Sequence, residues 1–150
     1  MKSLSILISI LTVTLTLSLS AQAQTFNFDD PKGVNNISFR LDALLESISG
    51  TGNGVSGKVH FDPESPKDTK GKIHLKTSSL TVPNPTMQDH LLGENWLNAK
   101  ENPNIVFEAK EFEVKSREGQ QYEAHVNGSL TLNGVTKDLT VPVTVNYLPG

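Results

Sequence analysis

The chain of 150 residues has no cysteine. That excludes disulfides, thiolate chemistry, Cys-ligated zinc and a lipid-modified N-terminal Cys. Nor is there a surplus of positive charge: Lys and Arg total 13 against 16 Asp and Glu, a net charge of −3. A nucleic-acid binder shows the opposite balance, so no nucleic-acid partner is expected. No repeat of about 20–50 residues and no low-complexity tail occurs. Gly-x-Ser-x-Gly elbows, His-Glu-x-x-His helices and phosphate loops are absent, so the sequence points to no enzyme. What remains is an ordinary globular balance, 36% hydrophobic and 19% charged, at a length suited to one domain with a core.

The first segment reads as an address. Lys2 supplies a positive start, and Leu4 to Leu19 is an uncharged run of Leu, Ile, Val, Ser and Thr. Ala21-Gln22-Ala23 then places small residues at the −3 and −1 positions of a cleavage site. This is the layout of a secretory signal peptide. A membrane anchor needs about 20 strongly apolar residues, and Ser and Thr dilute this run. The expectation is a signal peptide over residues 1–23 and a mature domain over residues 24–150, periplasmic or secreted, with no membrane span after cleavage. Removal of Lys2 brings the mature net charge to −4.

The mature chain alternates. Ile37, Phe39 and Leu41 share one face; so do Val55, Gly57, Val59 and Phe61, then Ile73 and Leu75. Such period-2 patterns predict strands with one buried face. Ile105 and Phe107 are in phase, as are Phe112 and Val114, but the two pairs are out of step. A bulge near Lys110-Glu111 repairs the slip. Tyr122 to Leu132 and Leu139 to Tyr147 form two long ladders, joined across Asn133-Gly134, the strongest short hairpin signal. Glu118-Gly119 marks the preceding turn, and Pro142 marks an edge strand or a bulge. With Thr25 to Phe28, these make seven strand candidates.

One stretch, Pro85 to Asn104, does not alternate. Thr86 to Leu92 favour a short helix, with Pro85 in its first turn and Gly93 as its stop. The only Trp, Trp96, follows. Long non-strand excursions in β domains often carry function. The fold class expected is therefore all-β: an antiparallel up-and-down, lipocalin-like β-barrel with a short helical excursion between its middle strands.

The order of local motifs resembles the YceI-like family, secreted lipocalin-like barrels associated with polyisoprenoid binding. The matching pieces are Phe39 with Gly50 and Val55-Ser56-Gly57, Phe61-Asp62-Pro63, and Met87-Gln88-Asp89-His90-Leu91. Asn102-Pro103-Asn104-Ile105-Val106-Phe107 and the hairpin Gly128 to Lys137 complete the series. Two positions depart from the pattern: Gln88 stands where many members carry Arg, and Asn102 where Tyr is common. Members usually continue past the last hairpin, so the family's last strands are expected to be lacking here.

The resemblance implies a barrel interior that holds an isoprenoid lipid, polyprenyl or quinone-like, with no cofactor and no metal. Its apolar lining is expected from Phe39, Phe61, Leu75, Phe107, Val126, Leu130 and Val143, and its entrance or lid from His90, Leu91, Leu92 and Trp96. The negative net charge offers no basic funnel for a pyrophosphate, which favours a neutral head group such as a quinone; local Lys or Arg residues would overturn that. The alternative is an exported stress-response or protein-interaction module with a solidly packed barrel. The oligomeric state stays open, a dimer included. His60, His74 and His125 sit between inward-facing apolar neighbours and should point outward. His60 and His74 are candidates for cross-strand neighbours, but solvated surface histidines are the default. Asp89 and His90 are adjacent on a helix and so do not face each other as a catalytic pair. The sequons at Asn36 and Asn127 matter only in a glycosylating host.

Overall fold

The computed structural model describes residues 23–42 and 47–148; the expected signal peptide lies almost wholly outside them. Among the described residues nine strands form: β1 (Gln24–Asn27), β2 (Ile37–Asp42), β3 (Ser47–Gly52), β4 (Val55–Phe61), β5 (Lys70–Lys76), β6 (Leu80–Thr81), β7 (Asn104–Glu118), β8 (Gln121–Leu132) and β9 (Val135–Asn146). One helix, α1 (Pro85–Leu92), lies between β6 and β7. All pairings are antiparallel, in a six-stranded sheet of order β1-β4-β5-β7-β8-β9 and a three-stranded sheet of order β2-β3-β6.

This order departs from the expected up-and-down sequence. β1 pairs with β4 rather than β2, and β3 pairs with β6. Phe26 stands opposite Val59, which brings it against the core around Phe61. The chain then crosses to the smaller sheet through a loop gathered on Asp30, whose carboxylate accepts the backbone N–H groups of Lys32, Val34 and Asn35 at 2.9, 2.6 and 3.0 Å. Within the described residues the two sheets share no hydrogen-bonded ladder.

Two strands, β3 and β6, have no alternating signature. β3 reads Ser-Ile-Ser-Gly-Thr-Gly and carries one large apolar side chain. Its glycines fit because neighbours cover them: Phe39 pairs with Gly50, and a Cβ there would collide with the Phe39 ring and the Thr81 carbonyl oxygen. The aromatic ring on one strand thus fills the space its partner leaves empty.

The turns follow their chemistry. Asn133 and Gly134 adopt φ of 47° and 72°, the left-handed pair of a two-residue hairpin, and Leu132 pairs with Val135 across it. The register of β7 on β8 shifts between Ala109 and Glu111, where the phase slip required a bulge, and again between Val114 and Ser116. β9 is the edge strand that Pro142 calls for. Apolar burial falls into two clusters. One gathers Phe61, Phe112, Tyr122, Ala124, Val126 and Tyr147. The other joins Leu75, Leu80 and Leu91, bringing α1 onto both sheets.

Candidate functional site

Register builds the site. Across the concave face of the larger sheet, Val55, Leu75 and Ile105 stand in one row, and Gly57, Ile73, Phe107 and Leu130 in the next. The convex face is polar: Lys72 and Glu108 pair in register and form an ion pair at 2.8 Å. The hydrogen bond from Lys72 holds the Glu108 carboxyl below the usual carboxylate range.

The apolar rows form one wall of a cavity of about 550 Å³. Ile73, Leu75, Ile105, Phe107, Leu130 and Leu132 line it from the larger sheet; Ile37, Phe39, Leu41 and Leu80 line it from the smaller one. Leu91 of α1 and the following Asn95, Trp96 and Leu97 close it. Among the described residues, Asn95 is the only one on this wall that is neither aliphatic nor aromatic. The volume falls within the range of small-molecule sites, about 300–1,000 Å³. Ile37, Leu41, Trp96 and Leu132 are also exposed, so the cavity opens through an apolar rim.

The excursion is held in place by backbone contacts. Asn84 caps α1, its side chain accepting the Met87 N–H at 3.1 Å. Gln88 ties the helix to β6: its Nε2 donates to the Leu80 carbonyl at 2.9 Å, and its Oε1 accepts the Val82 N–H at 2.8 Å. Asn133 Nδ2 donates to the Trp96 carbonyl at 2.7 Å, anchoring the cavity's closing segment to the β8–β9 turn. Asn102, in turn, donates to Asn133 Oδ1 at 3.0 Å. The two departures from the family pattern, Gln88 and Asn102, are therefore both part of this support.

Of the expected lining, Phe39, Leu75, Phe107 and Leu130 stand on the cavity wall. Phe61, Val126 and Val143 stand elsewhere. They belong to the packed cluster at the other end of the larger sheet, where Phe61 meets the rings of Phe112, Tyr122 and Tyr147 at 5.8, 5.2 and 6.2 Å. Period-2 phase assigns a residue to the concave face but does not say which end of that face is filled. Of the expected entrance, Leu91 and Trp96 line the cavity, and His90 lines a smaller adjoining chamber. Leu92 instead packs against the cluster around Leu75.

Ile37, Leu41, Ile73, Ile105 and Leu132 line the cavity too, each on the same face as a residue named for the lining. Leu80, Asn95 and Leu97 had no periodic signal. The histidine pair is also corrected: His60 pairs with Lys70, and His74 with Ser56, so they are not cross-strand neighbours. Among the described residues no three His, Cys, Asp or Glu side chains gather as a metal site, and no helix is long and apolar enough to cross a membrane.

Residues 26–149 match the model of the YceI-like domain family. A UPF0312 protein of Pseudomonas aeruginosa is 33% identical over 106 residues, covering 70% of this chain and 53% of its own. A UPF0312 protein of Photorhabdus laumondii is 34% identical over 122 residues, covering 81% of this chain and 59% of its own. The chain thus spans little more than half the length of these curated relatives. Among solved structures, the YCEI protein of Campylobacter jejuni is similar at a TM-score of 0.57 and 26% identity, over 77% of this chain and 66% of that one. Burkholderia cenocepacia BcnA shares the fold at a TM-score of 0.58 and 23% identity, over 70% of this chain and 63% of that one.

Proposed function

The chain belongs to the YceI-like domain family, and on that premise we propose that it is an exported carrier that binds the tail of an isoprenoid-type lipid in its apolar cavity. The observation that carries this reading is the cavity itself: about 550 Å³, walled by aliphatic and aromatic side chains, with Asn95 as the one amide among the described residues. Each CH₂ moved from water into such a site gains about 0.8 kcal/mol before ordering costs. A polyprenyl or quinone-like tail draws its affinity from this term alone, with no catalyst and no metal. Export is supported by the layout of residues 1–23. A packed interaction module, the competing reading, requires a filled interior, and the void favours the carrier.

Native mass spectrometry of the gently purified mature protein, followed by solvent extraction, tests the proposal. A stoichiometric polyprenyl compound is the expected result. Trp96 is the single Trp of the chain and stands on the cavity wall, so its fluorescence should change as polyprenol or a long-tailed quinone is titrated. Leu130→Arg places a charge on that wall at a half-buried position, and should weaken binding at least about tenfold while the far-UV circular dichroism stays native. Unchanged affinity in folded Leu130→Arg, or a wild-type protein that stays empty when offered both compounds, would sink the proposal.

A further inference from the structure

We infer that the apolar rim of the cavity is a docking surface for a lipid bilayer, an inference whose choice of partner rests on the carrier reading above. Among the described residues eight large hydrophobic side chains are exposed. Four of them, Ile37, Leu41, Trp96 and Leu132, line the cavity, and a fifth, Val135, stands directly opposite Leu132 across the β8–β9 hairpin. Trp96 is 48% exposed and Val135 56%. Exposed hydrophobics scattered singly are ordinary, but five gathered around one opening mark an interaction site. Trp96 and the hairpin belong to one unit, because the Asn133 side chain holds the Trp96 carbonyl at 2.7 Å.

Size and charge select the partner. A stable protein interface takes roughly 20–30 residues a side, and five side chains fall far short of that. A bilayer needs no matching shape: a few apolar side chains enter the boundary between head groups and acyl chains, with Trp favoured at that depth and Lys reaching back to the phosphates. Lys137 stands opposite Leu130 on the concave side of the hairpin, two residues beyond Val135, and among the described residues it makes no ion pair. Its neighbour Asp138 alternates to the convex face, where Lys110 holds it at 2.6 Å. Next to the opening the hairpin thus presents aliphatic side chains and a cation, which complements a surface of lipid phosphates. Contact at the rim also gives the tail a dry path. A tail passing through water would expose each CH₂ in turn, at a cost that grows with its length.

Flotation of the mature protein with phosphatidylcholine vesicles, with and without phosphatidylglycerol, tests the surface. The vesicles contain no isoprenoid, so binding reports the rim and not the ligand. The wild type should float with both, and more strongly with the anionic ones. Val135→Asp, off the cavity wall, should weaken binding to both about tenfold. Lys137→Glu should remove the preference for phosphatidylglycerol, a loss of about fivefold or more. Both variants should keep the far-UV circular dichroism and the polyprenol affinity of the wild type. Val114→Asp, an exposed position opposite Ala124 at the packed end of the sheet, should float like the wild type. An equal loss in Val114→Asp overturns the proposal. So does a dimer, read by analytical ultracentrifugation, that Val135→Asp dissociates while flotation is unchanged, since a second copy then covers the rim. A wild type that stays unbound by vesicles but takes polyprenol in solution overturns the docking surface alone; one that does neither overturns the carrier reading with it.

Discussion

Phe61 shows how two residues of identical pattern acquire different jobs. Phe61 and Phe107 both point to the concave face of the larger sheet. Phe107 stands beside the void, but Phe61 is 1% exposed and enclosed by three other rings. Edge-to-face aromatic contacts add to the area such rings bury. Phe61→Ala should therefore cost about 3–5 kcal/mol in urea denaturation, while the molecules that remain folded bind ligand with wild-type affinity. A matching loss of affinity would place Phe61 on the binding wall after all. At Gly128 the reason for a small residue is also local: a Cβ there would lie 2.6 Å from Phe107 Cζ, so the glycine leaves that ring its place beside the cavity.

At the scale of the element, the α1 excursion depends on side chains that complete backbone hydrogen bonds. Gln88 occupies both the Leu80 carbonyl and the Val82 N–H. With Gln88→Ala the two backbone groups lose their partner, a cost of about 1–3 kcal/mol at a partly buried site. The expected outcome is faster amide exchange in α1 and β6 with unchanged exchange in β8, read by hydrogen-exchange mass spectrometry. Protection lost equally across the larger sheet would show that α1 is not a separable lid. The helix itself was legible because its start and stop obey capping rules: Pro85 in the first turn, and Gly93 at the C-cap. Its Asn84 cap and its Gln88 bridge were not, since neither contact leaves a periodic trace.

At the scale of the whole molecule, the charge distribution separates binding from solubility. The chain carries net −3, yet among the described residues no charged side chain lines the main cavity. Tail affinity should accordingly change by less than about twofold between 0.05 and 0.5 M salt, because a charge-free contact has nothing for ions to screen. A steep fall of affinity with salt, measured by the same titration, would reveal an ionic head-group contact. The edges are managed separately. β9 carries Pro142, and Lys137 stands opposite Leu130 on its concave side; both features discourage pairing with another strand.

Much of this could be read without coordinates, because strand pattern and turn chemistry are local. Alternation marks one face of each long strand, Asn133-Gly134 adopts the φ values its hairpin demands, and the slip between Ala109 and Phe112 needs a bulge to keep both on one face. Side-chain period and backbone sterics act over a few residues, so the order of residues alone determines them. The tertiary structure decided what no local rule contains: that β1 joins β4, that glycine-rich β3 becomes a strand beneath Phe39, and that the concave face is packed at the Phe61 end and hollow at the Phe107 end. Those outcomes depend on which distant side chains meet. A void exists only where the neighbours from β2, β6 and α1 stand apart from the sheet, and that distance is a property of the assembled molecule.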